Sequence, residues 1–314
     1  MKNILVVGAA GQIGSELVPY LRDIYGTKHV VASDLHECAA NLCENGIYEQ
    51  LDALDGKAMY DIVKKYNIDT IYNLVAVLSA KGEANPTLSW KINMESLLNA
   101  LEISRQTKGA VFTPSSIGAF GPTTPMDGTP QDTVMRPTTI YGISKVAAEL
   151  LSDYYYVKYG VDARGLRYPG IISYVTLPGG GTTDYAVEIY YEALKTGRFV
   201  CNLSPGTYLD MMYMPDALKA AVQIMEADPA RLVHRNCFNV TAMSFEPEMI
   251  ASAIRKHIPK FQIEYNIDPI KQAIANSWPN SMDDSAAKAE WDWAPEYDLE
   301  TMTADMIAKL KIKL

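Results

Sequence analysis

A tyrosine and a lysine stand four residues apart, Tyr141 and Lys145, in the run Pro-Thr-Thr-Ile-Tyr-Gly-Ile-Ser-Lys-Val-Ala-Ala-Glu from Pro137 to Glu149. On a helix that spacing puts both side chains on one face, one turn apart. A phenol in water ionises only near pH ~10. An ammonium held beside it favours the phenolate, and the pair can then take a proton from a substrate hydroxyl. Tyr-x-x-x-Lys also occurs by accident on surface helices, so its meaning depends on its surroundings. Ser116 lies 25 residues before Tyr141. It follows an apolar run, where its hydroxyl could bond a substrate oxygen beside the tyrosine.

A second set of residues suits a dinucleotide. Gly8, Gly11 and Gly14 are spaced Gly-x-x-Gly-x-x-Gly, directly after Ile4-Leu5-Val6-Val7 and before a stretch with helical apolar spacing. Glycines in a strand-to-helix turn let the backbone approach a pyrophosphate, and the helix N-terminus favours the anion. Asp34 comes 20 residues after Gly14, at the end of His29-Val30-Val31-Ala32-Ser33. A carboxylate there binds ribose hydroxyls and repels the extra phosphate of NADP, so NAD is expected. Asp52 ends a third run and reads equally as an adenine contact or a helix cap. Leu74, Ala76 and their apolar neighbours suit a wall along a flat cofactor.

These residues need a frame in which strand ends converge. Apolar runs near 4–7, 29–33, 47–51, 69–74, 109–113 and 161–168 alternate with helical patterns, including 56–66 and about 88–106. That alternation predicts an α/β, Rossmann-type doubly wound parallel sheet with its site at the carboxyl ends of the strands. The glycine turn, Asp34, Ser116, Tyr141 and Lys145 all fall at such ends or on the adjoining helix. Residues 1–170 are expected to form the cofactor domain, which could recruit segments near 205–240. Residues 171–314 are expected to form mainly a smaller α/β substrate lobe.

Composition sets the outer bounds. The 314 residues are 48% hydrophobic and 21% charged, with a net charge of -9. That balance is globular and lacks the basic excess of a nucleic-acid binder. The four cysteines form no Cys-x-x-Cys pair, and the four histidines do not cluster. No metal is expected, and the cysteines fit reduced surroundings. The first apolar run is too short for a signal peptide or a membrane span. The expected compartment is the cytoplasm in a bacterium, or the mitochondrion in a eukaryote after removal of a transit peptide.

Together these motifs resemble the extended short-chain dehydrogenase/reductases over nearly the whole chain. Three further segments resemble the L-threonine 3-dehydrogenase branch, which is related to UDP-galactose 4-epimerases. They are Leu-Arg-Tyr-Pro-Gly-Ile-Ile-Ser at 166–173, Pro-Gly-Gly-Gly-Thr-Thr-Asp-Tyr-Ala at 178–186 and Met-Met-Tyr-Met-Pro-Asp at 211–216. Asp210 departs from that branch, which often has proline there. The resemblance implies Tyr141 as proton acceptor, Lys145 as its partner and as a donor to the nicotinamide ribose, and Ser116 as a holder of the substrate hydroxyl. It implies Gly11, Gln12 and Ile13 at the pyrophosphate, Leu35 beside Asp34, Ala53 beside Asp52, and Ile171 near the nicotinamide. Ser79, Gly181, Thr182 and Thr183 would meet the amino acid, and the protein would be a homodimer.

Read on its own residues, the Gly179–Thr183 loop is either a flexible linker or a carboxylate site made of amides and two hydroxyls. The rival function is an NAD-dependent nucleotide-sugar epimerase or dehydratase. Related epimerases carry an arginine where Leu209 stands, and a diphosphate site without that cation is less favourable.

Overall fold

Ile4–Val7 forms the first strand, β1, with all four side chains buried. They alternate between two packed layers. Ile4 and Val6 lie with Leu17, Leu21 and Phe112, whereas Leu5 and Val7 lie with Ile71, Leu97 and Leu101. A strand covered on both faces has no polar side to show, which is why its sequence is continuously apolar. In the computed structural model, residues 1–37, 40–44, 46–177, 179 and 181–314 are described. Cys38, and Pro178 and Gly180 of the expected carboxylate loop, lie outside them.

The other strands are β2 (Val30–Asp34), β3 (Ile47–Gln50), β4 (Thr70–Asn73), β5 (Ala110–Ser116), β6 (Asp162–Tyr168), β7 (Gly170–Ile172), β8 (Arg198–Cys201), β9 (Leu209–Tyr213), β10 (Phe238–Asn239), β11 (Met243–Phe245) and β12 (Gln262–Tyr265). Among the described residues, seven of them make one parallel sheet in the order β10-β6-β5-β4-β1-β2-β3. This is the doubly wound sheet that the alternating pattern predicts. The strand order reverses between β1 and β4, and such a reversal opens a crevice at the carboxyl ends. Two small sheets, β11-β9-β7 and β12-β8, build the lobe above it.

The later chain returns to the large sheet. Helix Met214–Glu226, β10, Trp291 and Trp293 pack in the same layer as Leu17. Trp291 sits 5.8 Å from the Phe238 ring and 5.6 Å from that of Trp293. Trp278, by contrast, packs in the lobe core. Cys201 and Cys237 are buried free thiols, as expected, whereas Cys43 is disulfide-bonded, which departs from four reduced thiols.

Candidate active site

Two cavities open along the carboxyl edge of the sheet and share a wall made by Leu74 and Ala76, just after β4. One, of about 310 Å³, is bordered by Gly8, Gly11, Asp34, Leu35, Asp52 and Ala53. The other, of about 160 Å³, meets Gln12, Ile13 and Ile171 on one side and Ser79, Ser116, Tyr141 and Lys145 on another. Gly181, Thr182 and Thr183 close it. Of the glycines in the strand-to-helix turn, Gly14 borders neither cavity. It is buried beneath the turn.

The turn is set by contact distance. Gly8 has φ +87°, a conformation strained for any L side chain. Gly14 opens the helix Gly14–Tyr25, and a Cβ there would lie 2.4 Å from the Gly8 carbonyl oxygen. Only hydrogen fits, so the helix N-terminus seats directly on the turn. Asp34 braces it: Oδ2 accepts the Ala10 N–H at 3.0 Å and Oδ1 that of His36 at 3.2 Å. A carboxylate has roughly four lone-pair positions, so capacity for a ribose remains. The helix cap that Asp52 competed for belongs to Asp55, which accepts the Ala58 N–H at 2.9 Å. Asp52 stands exposed on the rim, where its Oδ1 accepts the Leu54 N–H at 2.9 Å.

The helix Ile140–Tyr159 carries the tyrosine and lysine, and Thr139 caps it by accepting the Gly142 N–H at 3.1 Å. Gly142 lets this helix close on the loop after β5. A Cβ there would sit 2.1 Å from the Gly118 carbonyl oxygen, and one on Gly118 would sit 3.0 Å from the Tyr141 ring. Ser116 and Tyr141 thereby face one cavity. Lys145 Nζ donates to the Pro114 carbonyl at 2.6 Å and lies 5.4 Å from the centre of the Tyr141 ring. Ser116 Oγ accepts the Gly118 N–H at 3.1 Å, which leaves its proton for another acceptor. Asn93 holds the facing loop. Its Oδ1 accepts from Val77 N–H at 2.7 Å, and its Nδ2 donates to Ser144 Oγ at 3.0 Å.

Gly181, Thr182, Thr183 and Asp184 complete the wall, and the chain before them is anchored at residues 173–176. The Ser15 and Thr176 hydroxyls are 3.0 Å apart, and the Glu16 carboxyl accepts from the Ser173 hydroxyl. Burial pushes Glu16 up to about 7, against the pull of Ser173 and the Lys313 charge. Lys313 Nζ donates to the Tyr174 and Val175 carbonyls at 2.8 and 2.7 Å. The segment is thus pinned to the cofactor helix on one side and to the helix Leu299–Lys313 on the other. Asp184 Oδ2 accepts the Gly181 N–H at 2.6 Å, so this amide already meets a carboxylate of the protein itself. Thr182 is 2% exposed, and its Oγ1 has no hydrogen-bond partner among the described residues.

Over residues 4–240 the sequence matches the NAD dependent epimerase/dehydratase family. The chain belongs to that family. An uncharacterised epimerase/dehydratase of Staphylococcus aureus strain MRSA252 is 50% identical over all 314 residues, covering 98% of that protein. The crystal structure of an L-threonine dehydrogenase from Clostridium difficile is 55% identical and superposes with a TM-score of 0.98, covering 100% of this chain and 98% of that one. The L-threonine dehydrogenase of Phytophthora infestans is 48% identical, with a TM-score of 0.96 and full coverage of both chains. The resemblance to the extended short-chain dehydrogenase/reductases stands.

NAD, the cofactor of the epimerase/dehydratase family, fits the crevice described above: a glycine-rich turn under a helix N-terminus, with a carboxylate at the next strand end. Trp278 also borders the reactive cavity, without any mark in the local sequence, and so does Asp184 of the 178–186 segment. Trp278 arrives by tertiary packing. Four residues on, the Met282 N–H donates to Asp210 Oδ2 at 2.7 Å, and Thr241 donates to the other oxygen. Asp210 is fully buried in β9, and burial pushes its carboxyl up to about 7. The departure from proline at this position therefore ties two loops together behind the site. Leu209, at the place of the epimerase arginine, points into the lobe core.

Proposed function

We propose that this enzyme oxidises L-threonine at C3 with NAD, giving 2-amino-3-oxobutanoate. The observation that carries the reading is the Thr182 hydroxyl, buried and partnerless in the same cavity as Tyr141 and Ser116. An unsatisfied buried hydroxyl costs about 1–3 kcal/mol, which a bound carboxylate would offset. Among the described lining residues Lys145 is the sole cation, and it is committed to the Pro114 carbonyl. That suits one small carboxylate better than a diphosphate. The threonine dehydrogenases at 55% and 48% identity support the same substrate.

In this reading Ser116 and Tyr141 hold the C3 hydroxyl, and Thr182 and Thr183 hold the carboxylate. Tyr141 takes the hydroxyl proton as the C3–O bond becomes a carbonyl. Lys145 stands one turn behind it and keeps the strand end close. NAD, when bound, supplies the hydride acceptor for the C3 hydrogen. The test is NADH formation across a panel of amino acids and UDP-sugars. Activity on threonine is expected; epimerisation of a UDP-sugar with no NADH from threonine would establish the rival.

We also propose a homodimer. Ile143, Leu150, Tyr154 and Val157 follow one face of the catalytic helix at spacings of 7, 4 and 3. Each is exposed, Val157 to 82%. Sedimentation of wild type and Val157→Glu reads the state directly, and a monomeric wild type at micromolar concentration would refute it.

A further inference from the structure

Glu149 sits one turn beyond Lys145 on the same helix, only 3% exposed, and the reaction above does not use it. Its Oε1 accepts the Ser115 hydroxyl at 2.5 Å. Arg167 Nη2 donates to its Oε2 at 2.8 Å, and Arg167 Nε lies 3.1 and 3.2 Å from the two oxygens. Arg167 is itself held: Nη1 donates to the Gln131 carbonyl at 2.8 Å and to Asn239 Oδ1 at 3.1 Å, and the guanidinium lies 5.3 Å from the Phe120 ring centre. In the β5–β6 register Arg167 stands directly opposite Ser115.

A buried ion pair is weak evidence for stability, because desolvation cancels much of the attraction. The geometry accounts for this one in another way. The last three residues of β5 are gripped twice from one helix face. Lys145 holds the Pro114 carbonyl, and Glu149 holds the Ser115 hydroxyl. The next residue is Ser116. Two side chains four apart on a helix face thus set how far the strand end stands from the turn carrying Tyr141.

We propose that Glu149 and Ser115 are a positioning pair, which fixes the Ser116 hydroxyl at its working distance from the Tyr141 phenol. Arg167 orients the Glu149 carboxylate, taking Oε2 with Nη2 and sharing Oε1 with Ser115 through Nε. Ser115 borders the reactive cavity but gives its hydroxyl proton to Glu149, and neither residue of the pair is assigned contact with the substrate. A misplacement of about 1 Å at a reacting centre is enough for a rate loss on the order of 100-fold, so loss of one of two grips should cost about tenfold.

The proposal rests on the threonine reading, and the experiment separates the two. Wild-type turnover of L-threonine is measured first. Absence of NADH there sinks the functional reading, and the rest is then run on the nucleotide sugar the wild type does convert. Ser115→Ala, Glu149→Gln and the double variant are compared in kcat, KM and NAD affinity. Glutamine keeps the size of the side chain and a hydrogen-bond acceptor for Arg167, which alanine would remove. For Ser115→Ala a kcat loss of about tenfold is expected, with KM and NAD affinity within about twofold. The double variant should lose no more than the worse single one, since both act on the same Ser115–Glu149 contact. Wild-type kcat in Ser115→Ala overturns the proposal. So does a rise in KM that accounts for the loss, or additive losses in the double variant. If Glu149→Gln does not fold, the kcat-against-KM split of Ser115→Ala decides alone.

Discussion

The two sides of the cleft are held by different kinds of bond. On the cofactor side the work is done by main chain: a glycine at φ +87°, a helix start with no room for a Cβ, and a carboxylate clasping the Ala10 amide. On the substrate side it is done by side chains brought from far along the chain. Ser15 meets Thr176, Lys313 holds the 174–175 carbonyls, and Asp210 holds Met282. The first kind of constraint restricts residue type at short spacing. The second restricts only a meeting in space, which many residue pairs can satisfy.

Four substitutions test this contrast. Tyr141 lies at the seam, so Tyr141→Phe should stop the reaction without disturbing either side. Loss of the base should lower kcat by about 100- to 10,000-fold. NAD affinity, read by fluorescence titration, should stay unchanged; a variant with near-normal turnover removes Tyr141 from the role of base.

Asp34→Ala tests the cofactor side. Its carboxylate braces the turn and opposes a 2′-phosphate, so the preference for NAD over NADP in kcat/KM should fall by at least about tenfold. A wild type that uses both cofactors equally contradicts the assignment.

Thr182→Val tests the substrate side and keeps the shape of the residue. One lost hydrogen bond to a charged group, about 1.5–3 kcal/mol, should raise KM for threonine by roughly 10- to 100-fold with kcat little changed. Removal of a buried, unpaired hydroxyl should also raise the melting temperature of the unliganded protein. An unchanged KM would take Thr182 out of the carboxylate site.

The smallest effect concerns Asp210. Burial raises its carboxyl above the ordinary value, against hydrogen bonds from Thr241 and the Met282 and Met211 amides. A group raised on folding stabilises fully below its unfolded value of about 3.9, and that stabilisation is lost as pH rises through about 7. Asp210→Asn has no such titration, so its melting temperature relative to wild type should climb by a few degrees between pH 5 and pH 8. A constant difference across that range means that the carboxyl is already ionised at pH 5.

The same contrast explains what could be read from sequence. Five strands of the large sheet were legible because each is a largely buried run followed by a recognisable turn or helix, from Ile4–Val7 to Asp162–Tyr168. By contrast, Ile47–Gln50 is only half-buried and Phe238–Asn239 is two residues long. The glycine turn, Asp34, Ser116, Tyr141 and Lys145 sit at those ends, and the structure brings them to adjoining cavities. Trp278 was not legible, because the Asp210–Met282 bond that helps seat its loop spans 72 residues. Nor was the loss of the Gly181 amide: Asp184 reads as one acidic residue before a helix, and only its conformation aims the carboxylate backwards. Short strands such as Gly170–Ile172 carry too few residues to show a period.

The return of Trp291 and Trp293 to the layer under β1 has a bearing on how the molecule is made. Residues up to 168 hold six of the seven strands, yet the apolar face they share with Leu17 is covered only when Met214–Glu226, Phe238 and the two indoles arrive. At a synthesis rate of roughly 5–20 residues per second, the 125 residues from 168 to 293 take about 6 to 25 s to emerge. Throughout that interval a nascent chain on the ribosome presents a sticky, half-dressed sheet. Such a chain is a natural client for a chaperone. It is also a poor candidate for evolution by swapping its front half for another, since any single crossover between 168 and 293 would separate the sheet from its own covering.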